Sequence, residues 1–245
     1  MADVTLAKSF LTTGEDYERF RPGFPGETTD AIVPVPVAVA LDLGAGTGKF
    51  TARLIDRAAR VIAVEPSEQM LAVLRKKFPH VEAHVAAAET IPVGTGSVDV
   101  VTVAQAFHWF DRDRACAEIH RVLVPGGRLA LLWNHSDPDC AWDRACSRVA
   151  HPQLSNEMPV SNATREELPH FVLVEHLEFR WRERITRQDY VARWLTVSSL
   201  LAASADDRAR MVAEIERILD QDPDAAGRAE YDLPQVTDVY IYRGI

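Results

Sequence analysis

Between Val39 and Phe50 the chain reads V-A-L-D-L-G-A-G-T-G-K-F. An apolar run reaches Asp42, passes three glycines and enters residues with helical spacing. That order predicts a strand, a tight turn and a helix start. Gly44, Gly46 and Gly48 alternate with small residues, so the backbone can approach a ligand closely and adopt positive φ where the turn requires it. The first amides of a helix lack intrahelical partners and face such a ligand. Turns of this kind are where α/β sheets hold nucleotides. The spacing is G-x-G-x-G, not the dinucleotide spacing G-x-G-x-x-G, which argues against a nicotinamide-dependent oxidoreductase. A second strand, V-I-A-V, leads into Glu65, seventeen residues past Gly48. An acidic residue about 20 positions on accepts hydrogen bonds from ribose hydroxyls. Turn and acid together predict an adenosine ligand.

The rest of the chain supplies the sheet around that turn. Thr13 and Asp16 are spaced to cap a short helix that Arg21-Pro22 ends, since a residue before proline avoids the helical region. Glu27 to Val33 predicts a second short helix, and strand 1 runs to Asp42. Phe50, Leu54 and Ile55 fall on one helical face. Val61 to Val64 is strand 2. Pro66-Ser67 opens a helix with Met70, Leu71, Leu74 and Phe78 on one stripe. Val81 to Ala86 is strand 3, and Val98 to Ala104 is strand 4, apolar as a strand buried on both faces should be. Asp111 caps a helix that Pro125-Gly126-Gly127 stops, and Arg128 to Asn134 is strand 5. Five strands alternating with helices predict right-handed crossovers and an α/β, doubly wound, Rossmann-like parallel sheet.

The pattern changes at His135. Asp137 to Ala150 is helical in spacing, and residues 151–165 are polar and broken by prolines. Val172 to Trp181 alternates as strand 6. Thr186 and Asp189 form a capping box ahead of Tyr190 and Trp194, and Asp206 to Asp220 is amphipathic. Val236 to Tyr242 is the last strand. The chain therefore divides into N-terminal cap helices (1–38), a cofactor-binding core (39–134), a helical lid with strand 6 (135–235) and the last strand (236–245), within one domain.

A chain of 245 residues that is 47% hydrophobic has the apolar content for one large core. Its net charge of −9, with no basic cluster, argues against a nucleic acid partner. Cys116, Cys140 and Cys146 lack C-x-x-C spacing, so neither a disulfide framework nor a metal site is expected. No run of about 20 apolar residues and no signal-peptide core occurs, which predicts a cytoplasmic protein with no membrane association.

Several of these stretches, in order, carry a family pattern. They are L-D-L-G-A-G-T-G, V-I-A-V-E-P-S-E-Q-M-L, A-A-A-E-T-I-P, S-V-D-V-V-T-V-A-Q-A-F-H-W-F-D and R-V-L-V-P-G-G-R-L-A-L-L-W. Together they resemble the class I S-adenosylmethionine-dependent methyltransferases, closely over residues 9–134 and in outline beyond. Q-A-F-H-W-F-D, with Tyr17 through R-P-G-F-P, resembles the small-molecule branch that includes the trans-aconitate and cantharidin methyltransferases. The resemblance implies seven strands, mostly parallel with an antiparallel last one, and S-adenosyl-L-methionine as cofactor. It places Gly44, Ala45 and Gly46 against the methionine and ribose, Glu65 on both ribose hydroxyls, Pro66 and Met70 on one face of the adenine, and Ala88 and Glu89 at its edge. Gln105 and Ala106 would hold the methionine end, and Tyr17 and Arg21 would fold over from the N-terminus. Arg21 would pair with the cofactor carboxylate or with an acidic substrate.

Methyl transfer from a sulfonium is an in-line displacement, for which a protein chiefly supplies alignment, worth about 7–11 kcal/mol. Ligands of doubly wound sheets sit past the carboxyl ends of the strands. There the sequence offers Phe107, His108 and Trp109 after strand 4, and Trp133, Asn134 and His135 at the end of strand 5. His108 is the candidate general base, with an unperturbed pKa near neutrality. Trp109 can wall the acceptor pocket or face the sulfonium with its ring, and His135 is a third substrate-side candidate. The acceptor stays open between a carboxylate, a hydroxyl and a phenol of a small molecule. A quinone-type C-methyltransferase and a cofactor-binding partner protein without turnover are the alternatives.

Overall fold

The computed structural model describes residues 18–151 and 167–245. Tyr17, the Thr13–Asp16 cap and the proline-broken stretch from residue 152 to 166 lie outside them. The elements in chain order are α1 (Gly26–Ile32), β1 (Val37–Leu43), α2 (Thr51–Leu54), β2 (Ala58–Val64), α3 (Glu68–Lys77), β3 (Glu82–His84) and β4 (Val98–Ala104). A 3-10 turn over Phe107–Trp109 follows, then α4 (Arg112–Val122), β5 (Leu123–Ser136), α5 (Ala141–Ala150) and β6 (Phe171–Thr186). The chain ends with α6 (Arg187–Trp194), α7 (Ser198–Ala202), α8 (Ala205–Gln221) and β7 (Glu230–Gly244).

The seven strands form one sheet in the order β3-β2-β1-β4-β5-β7-β6. Its ladders are parallel from β3 through to β5, whereas β7 runs antiparallel to both β5 and β6. This is the mixed doubly wound sheet expected. The order reverses between β1 and β4, which opens a crevice at their carboxyl ends. Successive residues of β1 and β5 face opposite layers. Leu41, Leu43, Leu129 and Leu131 pack with Cys116, Ile119 and Val122 of α4. Ala40, Ala130 and Leu132 pack with Ile32 of α1, Leu54 of α2 and Leu71 and Leu74 of α3. Both faces are covered, so the central strands carry unbroken apolar runs.

The caps follow the sequence signals. Ser67 accepts from the Met70 amide, Asp111 from Arg114 and Thr186 from Asp189. Several boundaries shift by a few residues: β2 starts at Ala58, β3 covers only Glu82–His84, β5 ends at Ser136 and α5 starts at Ala141; three departures are larger. The helix after the glycine turn is a single turn, with Phe50 and Leu54 buried. Strand β5 starts at Leu123 and takes Pro125-Gly126-Gly127 into its length. The ladder register shifts between Val98 and Val100, and a Cβ on Gly127 would lie 3.0 Å from the Asp99 carbonyl. The glycines therefore serve an irregular strand start rather than a helix stop. Strands β6 and β7 pair from Phe171↔Gly244 to Thr186↔Glu230, well beyond the predicted ends. On one face the extra residues are charged and paired, as Arg184 with Glu230 at 2.6 Å; on the other, Ile185, Tyr231 and Leu233 are buried.

This two-stranded extension carries the lid. Trp142 and Cys146 of α5, Tyr190 and Trp194 of α6, Ile215 and Leu219 of α8, and Tyr231 and Leu233 of β7 form its own core. Inside it, Tyr190 donates to Asp143 at 2.6 Å. Trp142, Tyr190 and Trp194 are thus interior packing, and Trp181 points its indole N–H at Thr237.

Candidate cofactor and acceptor site

The glycine turn is built as a cradle. Gly44, Gly46 and Gly48 take φ of 70°, 55° and 85°. At Gly44 a Cβ would sit 2.5 Å from the Ala106 Cβ and 3.3 Å from the Phe110 ring, so the β1 and β4 ends approach through a missing side chain. At Gly46 the only near atom among the described residues is the Met70 sulfur, at 3.8 Å. Thr47, buried at 1% exposure, keeps a hydroxyl with no partner among the described residues.

Glu65 closes the cradle from β2. Its Oε2 accepts from the Gly46 amide at 3.0 Å and its Oε1 from the Ser67 amide at 2.9 Å. A carboxylate has about four acceptor positions, which leaves one per oxygen for two ribose hydroxyls. Burial raises the Glu65 pKa, and the two amides only partly offset it. Further hydroxyl donors would favour the ionised form, so the residues present fit an adenosine ribose.

The other expected cofactor residues gather around this turn. Ala45 and Met70 are buried, Pro66 is exposed just past Glu65, and Ala88 is buried at the end of the β3 segment. Glu89 spends one oxygen on the Asp111 amide at 2.7 Å, fixing the start of α4. Ala106 meets Gly44 as described. Gln105 adopts φ 59°, in the left-handed region that a residue with a Cβ enters at a cost of roughly 1–2 kcal/mol. Its amide donates to Leu132 and its side chain to the Asn134 carbonyl at 2.9 Å.

Below the turn, Asp42 is fully enclosed and accepts from Thr51 at 2.6 Å and Thr102 at 3.1 Å. Burial raises its pKa from 3.8 to about 6 against those hydrogen bonds. A raised native carboxylate binds a proton that the unfolded chain has already released. Stability should therefore fall as pH rises from about 4 to about 6, by roughly 3 kcal/mol at most. Asp42→Asn should abolish that slope in urea titrations across pH 4–7, and an unchanged slope would move the effect to another group.

The acceptor side is assembled after β4 and over the N-terminal segment. His108, just after β4, is exposed, and desolvation by its neighbours lowers its pKa. The Trp109 ring lies 4.6 Å from it, tilted by 47°. Phe107 is buried core. His135 is part of β5, not a loop, and both ring nitrogens are engaged: Nε2 with Asp238 at 3.0 Å and Nδ1 with the Ser136 carbonyl at 3.1 Å. Burial is the largest single influence and opposes its charge, but the bonds to Asp238 and Ser136 and the nearby carboxylates together outweigh it, and the His135 pKa rises. His176 reaches the other Asp238 oxygen at 2.8 Å, so His135 is turned toward the β7–β6 edge.

Arg21 donates to the Thr196 carbonyl of the lid at 3.1 Å. Around it lies a set of charges that sequence reading passed over. Lys49 donates to the Glu18 carbonyl, and Lys77 to the Glu18 carboxylate and the Thr47 carbonyl, at 2.6, 2.6 and 3.1 Å. Arg193, buried in α6, donates to the Phe20 carbonyl at 2.9 Å and to Glu183 at 2.7 Å. Burial lowers the Lys49 pKa, with Glu18 opposing it. Residues 18–23 are thereby strapped between the glycine turn and the lid. The lysine after the third glycine was the available signal, but its partner lies 31 positions away in a segment that reads as a plain short helix.

A polar cavity of about 720 Å³ on the flank of the lid, lined in part by Arg180, Trp181, Asp222 and Asp232, contains none of these residues. Among the described residues no group of three or more His, Cys, Asp or Glu is placed to hold a metal ion, and no helix is long and apolar enough to cross a membrane. The three cysteines are free and buried.

A family model described as a methyltransferase domain matches residues 41–131. An uncharacterized methyltransferase of Mycobacterium tuberculosis is 37% identical over 233 residues, 95% of this chain and 94% of its own. One from Schizosaccharomyces pombe is 32% identical over 242 residues, 96% of each. The solved structure of a protein named as a type II methyltransferase from Anaeromyxobacter dehalogenans superposes with a TM-score of 0.68 at 30% identity, covering 92% of this chain and 97% of that one.

Proposed function

The chain belongs to the class I S-adenosylmethionine-dependent methyltransferases, and from that premise we propose that it methylates a carboxylate oxygen of a small molecule held between the strand ends and the lid. The bound cofactor supplies an electrophilic methyl group. In this reading the cradle of Gly44, Ala45 and Gly46 and the carboxylate of Glu65 hold the donor, Gln105 and Ala106 fix its methionine end, and Pro66, Met70, Ala88 and Glu89 surround its base. Trp109 and His108 wall the acceptor side, and Arg21 covers the entrance.

The observation that carries the acceptor class is that, among the described residues, no carboxylate or carbonyl is hydrogen-bonded to the His108 ring, whose neighbour is the Trp109 ring at 4.6 Å, so nothing orients it as a base. Desolvation also lowers its pKa. General bases work best with a pKa near the working pH. An acceptor that is already anionic needs none, which favours a carboxylate over a hydroxyl or phenol. Partial matches include both transfer types: a malonyl-[acyl-carrier protein] O-methyltransferase from Methylococcus capsulatus, 44% identical over 102 residues, 39% of this chain and 37% of that one, and a ubiquinone/menaquinone biosynthesis C-methyltransferase from Rubrivivax gelatinosus, 40% identical over 94 residues, 38% of each. The net charge of −9 supports a small-molecule rather than a nucleic acid partner.

The test supplies S-adenosylmethionine with a panel of small carboxylic acids, phenols and quinols, and reads S-adenosylhomocysteine release and the product bond. Base-labile methyl esters are expected. His108→Ala should retain turnover within about threefold, because general base catalysis, worth about 10²–10⁴-fold, is not in use. Turnover of phenols alone, lost with His108, would replace the carboxylate. Methylated quinol carbon would favour the C-methyltransferase alternative. Tight cofactor binding with no product from any acceptor would favour a binding protein.

A further inference from the structure

Three polar side chains form a continuous hydrogen-bonded series across the carboxyl end of the sheet, and a fourth, Gln105, joins it at the Asn134 backbone. The Trp181 indole on β6 donates to the Thr237 hydroxyl on β7 at 2.9 Å. That hydroxyl donates to Asn134 Oδ1 on β5 at 2.5 Å. Asn134 Nδ2 donates to the Gly23 carbonyl of the N-terminal segment at 2.8 Å, and the Gln105 side chain after β4 donates to the Asn134 backbone carbonyl at 2.9 Å. Thr237 is fully buried. Its hydroxyl has one proton, and with the indole N–H as donor that proton is committed to Asn134. Asn134 in turn is oriented so that its amide group meets Gly23. One residue thus ties the strap over the entrance and the strained turn at Gln105 to the sheet end.

We infer that Thr237 is a positioning residue for methyl transfer, acting through Asn134 to hold the Gly23 strap and the Gln105 turn in register, with Trp181 fixing the direction of its hydroxyl. The inference rests on the reading of Gln105 and the N-terminal segment as walls of the cofactor site. Neither Thr237 nor Trp181 is itself placed against the cofactor. An apolar pair would pack this position as well, so the polar series is informative about orientation rather than about burial alone.

The experiment titrates S-adenosylhomocysteine into the full chain by calorimetry, for wild type, Thr237→Val, Thr237→Ser, Trp181→Phe and the Val/Phe double variant, with urea unfolding of each. Leaving the half-buried Asn134 side-chain carbonyl without its Thr237 donor should weaken binding about tenfold in Thr237→Val, and losing only the orienting donor should weaken it about threefold in Trp181→Phe. Thr237→Ser, which keeps the hydroxyl, should bind within about twofold of wild type. The double variant should match Thr237→Val, because Trp181 acts only through the hydroxyl. Wild-type affinity in both single variants overturns the inference, and so does a double variant whose losses multiply. Should Thr237→Val fail to fold, Trp181→Phe decides, by the same threefold loss or its absence. A wild type that does not bind the probe removes the site reading and this inference together. A wild type that binds while the variants are unchanged removes the inference alone.

Discussion

Glu65→Ala folds and loses S-adenosylhomocysteine by roughly 100- to 1,000-fold in a calorimetric titration. Each hydrogen bond to a charged acceptor contributes about 1.5–3 kcal/mol, and this carboxylate has two acceptor positions free for the ribose. The loss has a second source, since the Gly46 and Ser67 amides also give up their acceptor. Stability suffers less than affinity. Burial already raises the Glu65 pKa, so the ionised side chain is held at a cost that its removal relieves. Glu65→Gln keeps one acceptor oxygen and should lose about tenfold. Affinity within threefold of wild type in Glu65→Ala would take the ribose away from this residue.

Gly44→Ala has the larger effect on folding. The new Cβ would lie 2.5 Å from the Ala106 Cβ, at a φ of 70° that disfavours any L side chain. Ala106 has no rotamer with which to yield, so the turn after β4 must move off the turn after β1. Overpacking costs about 1–3 kcal/mol and the left-handed φ about 1–2, so the variant should lose roughly 2–5 kcal/mol in urea unfolding, and cofactor binding with it. Gly46→Ala separates the two causes. Among the described residues only the Met70 sulfur, at 3.8 Å, is near its Cβ, so it should cost about 1–2 kcal/mol of stability and yet abolish binding by filling the cradle. Equal stability losses in the two variants would mean that the contact between the two turns contributes little.

What the sequence made legible was local. β1, β2 and β4 announce themselves as apolar runs buried on both faces. Ser67, Asp111 and Thr186 announce helix starts through a side-chain oxygen three residues before the amide it accepts from. Glu65 was found because the strand carrying it ends beside the glycine turn. What escaped was long-range or charged. Asn134 and Thr237 are 103 positions apart, joined only once β7 pairs antiparallel with β5. The β6 extension runs through Arg182, Glu183 and Arg184 with little apolar signal, and Pro234 interrupts the alternation of the β7 extension, so both strands read as shorter than they are. His135 read as a loop residue because the strand's apolar run stops at Trp133, whereas its ring is used by Asp238 across the ladder. Arg193 lies on a helix whose other residues read as packing, and its role appears only when the N-terminal segment lies across it.

The central claim is that the glycine cradle and Glu65 form a site for an S-adenosyl group. The most direct measurement titrates the wild-type chain in parallel with S-adenosylhomocysteine and with NAD. Saturable one-to-one binding of S-adenosylhomocysteine, at least about 100-fold tighter than any heat with NAD, is the predicted result. Equal affinity for the two, or none for S-adenosylhomocysteine, would contradict it.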